Sequence, residues 1–141
     1  MKKLLSLSLL LPLLFWLAGS CNKDVIYEDV DCSVCFANPP DSGYLRPELT
    51  IDRDHPRVPV AVYEGDIETG TLLLQDTFAL PTPRILMPAG RRYAMTATYI
   101  RGGDTIIAVD GDELAIKKAV GQCGGTCYVV TGGFFDLRLK R

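Results

Sequence analysis

Cysteines carry the most specific chemistry of this 141-residue sequence, which holds five of them. Four form two close pairs near opposite ends of the chain, Cys32-Ser33-Val34-Cys35 and Cys123-Gly124-Gly125-Thr126-Cys127. The fifth, Cys21, stands apart. Pairs spaced C-x2-C and C-x3-C serve three chemistries. An even count in an oxidising compartment forms disulfides, and this is the leading reading. Four thiolates at such spacing could instead close a tetrahedral zinc site, although exported thiols tend to be oxidised first. C-x-x-C is also a redox spacing, but no βαβ setting surrounds Cys32. Haem attachment at Cys32 and Cys35 is excluded, because Phe36 stands where histidine is required.

Four cysteines allow three connectivities. Local pairing closes loops of a few residues. Long-range pairing closes a loop of roughly 90 residues, worth about 4.6 kcal/mol in a chain-entropy treatment. Long-range pairing is preferred, and antiparallel alignment favours Cys32–Cys127 with Cys35–Cys123.

Other reactive side chains are sparse. His55 is the sole histidine and lies in the loop-like run Asp52-Arg53-Asp54-His55-Pro56, where it reads as a solvated side chain. It has no nucleophile to serve: Ser33 and Ser42 lie in the tether and no G-x-S-x-G is present. Asp110-Gly111-Asp112-Glu113 reads as an acidic hairpin turn and lacks the ligand spacing of a calcium loop. There is no phosphate-binding or dinucleotide-binding glycine motif. Tyr63, Tyr93, Tyr99, Tyr128, Phe134 and Phe135 read as core or cross-strand partners rather than a sugar platform. No catalytic residue, metal ion or cofactor is assigned, and the chain is not read as an enzyme.

The elements that position the cysteines begin after residue 20. Lys2 and Lys3 precede a mostly apolar run from Leu4 to Leu17, followed by the small residues Ala18, Gly19 and Ser20. This is the layout of a cleaved secretory signal, and the run is short for a membrane span. Leu17-Ala18-Gly19-Ser20-Cys21 resembles a bacterial lipobox, with Ala18 where that motif prefers leucine. The resemblance implies cleavage before Cys21, a diacylglyceryl group on its sulfur and an acyl chain such as palmitate on its new amino terminus. Several chains exceed what stable anchoring needs. Ser20-Cys21 followed by Asn22-Lys23-Asp24 looks like lipoproteins of Bacteroidetes type. That likeness implies an outer-membrane location, facing the periplasm or the surface.

Loss of Lys2 and Lys3 leaves 13 basic and 17 acidic residues, a formal charge of −4. That balance disfavours nucleic acid, which needs a basic face. Residues 21–43 read as an acidic tether ending in Asn38-Pro39-Pro40-Asp41-Ser42-Gly43.

Residues 44–141 read as an all-β domain of seven to eight short antiparallel strands, the signature of a sandwich. Leu49-Thr50-Ile51 alternates briefly. Val58–Tyr63 is β-rich, with Pro59 marking an edge or a strand start. Thr71–Phe78 returns, and Arg84–Met87 is a short strand. Tyr93–Ile100 places Tyr93, Met95, Ala97 and Tyr99 on one face. Arg101-Gly102-Gly103-Asp104 is a type I′ hairpin turn. Thr105–Val109 returns, Asp110-Gly111-Asp112 turns, and Leu114–Lys117 alternates. Asp112–Val120 also has helix-forming composition but is assigned to strand. Tyr128–Thr131, Gly132-Gly133 and Phe134–Leu139 form a closing hairpin.

The stretch from Val60-Ala61-Val62-Tyr63 through Gly70 and Asp76-Thr77 to Leu86-Met87-Pro88-Ala89-Gly90-Arg91-Arg92-Tyr93-Ala94-Met95-Thr96-Ala97 resembles transthyretin-like and carboxypeptidase-regulatory-like sandwiches. Ile26-Tyr27-Glu28-Asp29-Val30-Asp31-Cys32 looks like the start of fimbrium-anchoring lipoproteins. The expectation is a lipid-anchored envelope module that binds a partner or plays a structural part. The alternatives are a redox or zinc protein using the cysteine pairs, and an accessory of a pilus-like or uptake assembly.

Overall fold

The computed structural model describes residues 31–121 and 123–140. The leader, Cys21 and the tether as far as residue 30 lie outside the described residues. The fold is all-β, with two sheets packed as a sandwich. The strands are β1 (Ser42–Glu48), β2 (Val58–Glu64), β3 (Thr71–Phe78), β4 (Ile85–Pro88), β5 (Arg91–Arg101), β6 (Asp104–Val120), β7 (Thr126–Thr131) and β8 (Phe134–Asp136). The larger sheet runs β3-β2-β5-β6-β7 and the smaller β4-β1-β8.

Alternation dictates which side chains meet between the sheets. Val58, Val60 and Val62 of β2 point inward, as do Tyr93, Met95, Ala97 and Tyr99 of β5 and Leu114 of β6. Leu45, Ile85, Phe135 and Leu137 complete the core. Each fully buried side chain of this size contributes roughly 1.5–3 kcal/mol. The two core tyrosines also tie parts together. Tyr93 donates its hydroxyl to the Pro88 carbonyl at 2.7 Å, and Tyr99 donates to the Leu137 carbonyl at 2.7 Å while accepting from Thr50 N–H at 3.1 Å. Burial pushes both phenols above their ordinary range.

Several local expectations change. The first strand is Ser42–Glu48, not Leu49–Ile51, so it begins inside the stretch read as tether. Pro47 is tolerated in β1 because β4 pairs only with Ser42–Leu45, which leaves no ladder donor to lose on that side. Pro59 marks a strand start, not an edge. β2 lies between β3 and β5, but its pairing with β5 begins at Val60. The Gly102-Gly103 turn forms as expected, with φ of 63° and 93°.

The closing hairpin does not form. β8 leaves the larger sheet and pairs with β1 in parallel, Arg46 opposite Phe134 and Glu48 opposite Asp136. Gly132 and Gly133, with φ of 78° and 77°, make the crossover. A Cβ on Gly133 would lie 2.8 Å from the Tyr44 carbonyl oxygen, so only glycine passes there.

The turn expected at Asp110-Gly111-Asp112 is also absent. β6 runs unbroken through it, and Gly111 pairs with Ala94. The aspartates are used differently. Asp110 and Asp112 sit two residues apart and face the same way. Asp110 takes Gly111 N–H on one oxygen (2.8 Å) and Asp136 N–H on the other (2.7 Å). Asp112 takes Glu113 N–H (2.8 Å) and Phe134 N–H (3.0 Å) in the same way. Two carboxylates thus stand in for a backbone ladder and clip β8 to β6.

Replacing Asp110 with Ala leaves the half-buried Asp136 N–H without its acceptor. The expected cost in urea unfolding is about 1–3 kcal/mol. The exposed Glu68→Ala should change stability by less than about 0.5 kcal/mol. Equal effects would show that the clip carries no stability.

Candidate functional site

The four paired cysteines are brought together at one end of the molecule. Cys32 lies in a single 3₁₀ turn, Cys32–Val34, whose first turn is capped by Asp31 accepting Ser33 N–H at 2.9 Å. These bonds from Ser33 hold the Asp31 carboxyl below its ordinary range. Cys35 leads into Phe36, which exchanges two 2.8 Å backbone hydrogen bonds with Tyr128 on the free side of β7. Cys127 is buried in β7, and Cys123 lies in the connection from β6 to β7.

Disulfides form, and both are long-range. The connectivity, however, is Cys32–Cys123 and Cys35–Cys127, with Cα separations of 5.5 and 5.6 Å. The expected pairs Cys32–Cys127 and Cys35–Cys123 are not those made. The bridge between Phe36 and Tyr128 sets Cys35 beside Cys127. The chain before it coils rather than extends, so Cys32 meets the β6–β7 connection instead of β7. An antiparallel alignment of extended segments does not hold there.

The two bridges are close neighbours. The sulfur atoms of Cys35, Cys123 and Cys127 lie within 4.8 Å of one another. As disulfides they neither titrate nor ligate a metal. Only after reduction would this corner offer a thiolate cluster.

His55 is not the solvated loop residue that its neighbours suggest. It is 8% exposed and packs edge-on against Tyr99. Its Nδ1 lies 3.0 Å from Asp52 Oδ1 and its Nε2 3.1 Å from the Ile100 carbonyl oxygen. The same carboxylate accepts His55 N–H at 2.7 Å, and this backbone bond is the main reason that Asp52 sits below its ordinary range. An open cleft of about 250 Å³ borders the ring. Through these two neighbours the ring ties the loop before β2 to the end of β5. Among the described residues, no serine or cysteine lines the cleft beside it.

The aromatic residues divide. Tyr93, Tyr99 and Phe135 are core, and Tyr63 and Tyr128 are half-buried. Phe134 is a cross-strand partner of Arg46 and not a core residue: it is 59% exposed on the outer face of the smaller sheet. Tyr44, Arg46 and Arg84, which no motif singles out, share that face. Arg46 stacks over Phe134 at 5.1 Å and Arg84 over Tyr44 at 5.9 Å. Cross-strand register, which no local pattern encodes, puts them together.

The bridges close nearly the same loop, 91 and 92 residues long. Once one exists, the other closes only the few residues from Cys32 to Cys35 and from Cys123 to Cys127. The entropy treatment gives roughly 2.5 kcal/mol for that second closure, against about 4.6 for the first. Cys32→Ser with Cys123→Ser, or Cys35→Ser with Cys127→Ser, should each cost about 2.5 kcal/mol in denaturant. Removing all four should cost about 7 kcal/mol, more than the roughly 5 kcal/mol that the two separate losses add up to. Two equal, additive losses would show that the bridges act independently. Compared with protein-family models, with curated proteins and with solved structures, the chain finds no match.

Proposed function

We propose that the chain is an exported lipoprotein, anchored by lipid on Cys21, whose β-sandwich is a binding or structural module of the bacterial envelope. The observation that carries this reading is the pair of long-range bridges joining Cys32 and Cys35 to Cys123 and Cys127. Such bridges persist in an oxidising, extracytoplasmic compartment. The leader-like segment and the lipobox-like Leu17-Ala18-Gly19-Ser20-Cys21 point to the same compartment independently.

The geometry gives the clamp a mechanical sense. From Cys21 to Asp31 the chain can reach at most about 35 Å. The clamp then fastens the incoming chain to β7 before β1 begins. A pull on the lipid anchor loads two covalent bridges and the β6–β7 ladder rather than peeling β1 from the core. The Gly102-Gly103 hairpin and the His55 loop lie toward the other end of the domain. A transthyretin-like relationship and membership of a pilus-like or uptake assembly stay within this reading.

A second reading rests on the proximity of Cys35, Cys123 and Cys127: a thiol–disulfide or zinc site formed on reduction. Thiol titration and metal analysis of the purified chain separate the two. Blocked thiols without zinc support the binding module, and stoichiometric zinc or a readily reduced bridge supports the alternative.

Cys21→Ser should abolish labelling by radioactive palmitate and move the protein from the membrane fraction to the soluble one. The domain should stay folded, with the same melting temperature. Continued acylation, or membrane retention of the variant, would overturn the lipid-anchor reading.

A further inference from the structure

The outer face of the smaller sheet holds a charge arrangement that the domain does not neutralise. β1 is its central strand, and Leu45 pairs with Ile85 of β4. One step further in that antiparallel register sets Arg46 across from Arg84. Leu45 and Ile85 are core residues, so alternation turns both arginines outward. Like charges directly opposite each other on a sheet are destabilising.

Acids are available one row away but are already taken. Glu48 pairs with Arg138 at 3.3 Å, and Asp136 accepts from Arg138 at 2.7 Å and from Lys140. These contacts draw the Asp136 carboxyl far below its ordinary range. Among the described residues, neither Arg46 nor Arg84 makes an ion pair. Each guanidinium instead lies over an aromatic ring, Phe134 or Tyr44. The rings stay open to solvent, Tyr44 at 45% and Phe134 at 59%, and Leu86 beside Tyr44 is 58% exposed.

We infer that this face binds an anionic carbohydrate, a sugar chain bearing carboxylates, with Arg46 and Arg84 receiving the carboxylate and Tyr44, Leu86 and Phe134 meeting the ring faces. A guanidinium presents a planar donor fork that matches a carboxylate, and stacking on an aromatic ring holds the fork in place. Two forks side by side relieve their mutual repulsion when an anion sits between them. An acidic peptide offers the same charge but is the poorer fit. Peptide capture by sheets uses an unpaired strand edge. Here Arg46 projects from β1 and Arg84 from the residue before β4, both out of the sheet face and not along a strand edge, so recognition is by side chains. Exposed flat apolar rings flanking the cations suit a ring-shaped ligand.

This inference rests on the binding-module reading and names its ligand class. It is tested on the full chain in detergent, with polygalacturonate as probe and with dextran and poly-glutamate of similar length beside it. Polygalacturonate should bind at low salt and release as salt rises. Arg46→Gln and Arg84→Gln should each weaken binding about tenfold, the loss of one charge-assisted contact. Phe134→Ala should weaken binding while keeping the salt dependence, and the distant Lys118→Gln should change nothing. Unchanged melting temperatures separate these losses from unfolding. No binding, binding indifferent to Arg46 and Arg84, or equal binding of poly-glutamate would each overturn the proposal. Binding is read whether or not Cys21 carries lipid, so a failure here is distinguishable from a failure of the anchor.

Discussion

β6 is longer than any strand it pairs with, and the rest of the sandwich is arranged by how that length is shared. Its first eleven residues pair with β5, Asp104 opposite Arg101 through Leu114 opposite Arg91. Its last six pair with β7, from Ala115 opposite Thr131 to Val120 opposite Thr126. The handover falls between Leu114 and Ala115. On the side that β7 leaves open, Asp110 and Asp112 supply acceptors for β8. One strand therefore joins the central ladder, the clamped end and the smaller sheet. Without the carboxylates, β8 would present unmet N–H groups toward β6, a costly arrangement for partly buried backbone. A hairpin of β7 with β8 would avoid that cost. It would also take Phe135 and Leu137 out of the core they fill with Leu45 and Tyr99.

The parts of the fold that were legible in the sequence are those encoded by alternation and by local turn chemistry. Tyr93, Met95, Ala97 and Tyr99 declare one buried face by spacing alone. Gly102-Gly103 declares a turn because both positions need positive φ. What stayed hidden depends on partners far away in the chain. Asp110-Gly111-Asp112 carries every local mark of a turn, and only the N–H groups of Phe134 and Asp136 make it a strand. His55 sits among polar loop residues, yet Asp52 and the Ile100 carbonyl lie within hydrogen-bond distance of its ring nitrogens, and the ring is buried against Tyr99. The cysteines show the same division. Their even count pointed to disulfides, and loop-closure entropy pointed to long-range ones. Which sulfur met which depended on a 3₁₀ turn and one pair of backbone hydrogen bonds at Phe36 and Tyr128.

The clamp also settles where the domain begins in mechanical terms. The stretch from Cys32 to Phe36 has an acidic, breaker-rich neighbourhood, and composition alone assigns it to the tether. Covalent bonds and the pairing with Tyr128 make it part of the larger sheet's margin. Two bridges in nested loops overlap thermodynamically, because once the first exists the second is worth roughly 2.5 kcal/mol instead of about 4.6.

Net charge proves a poor guide to the surface for a related reason. The sequence is acidic overall, and that balance argues against polyanions at the level of the whole chain. Much of the negative charge is nevertheless engaged inside the fold. Asp110 and Asp112 are bound to backbone donors, Asp52 to His55, Glu64 to Arg91 at 2.7 Å, and Glu48 and Asp136 to Arg138 and Lys140. Glu48, Glu64 and Asp136 are offset by the cations they pair with, and at physiological ionic strength the field of the other carboxylates falls off over about 8 Å. The local balance on the smaller sheet is therefore set by the groups left over, Arg46 and Arg84. An acidic protein can carry a cationic face when its carboxylates are committed to holding strands together. In this chain Glu48 and Asp136, the acids one row from Arg46, are held by Arg138 and Lys140 of the C-terminal extension and so do not neutralise that face.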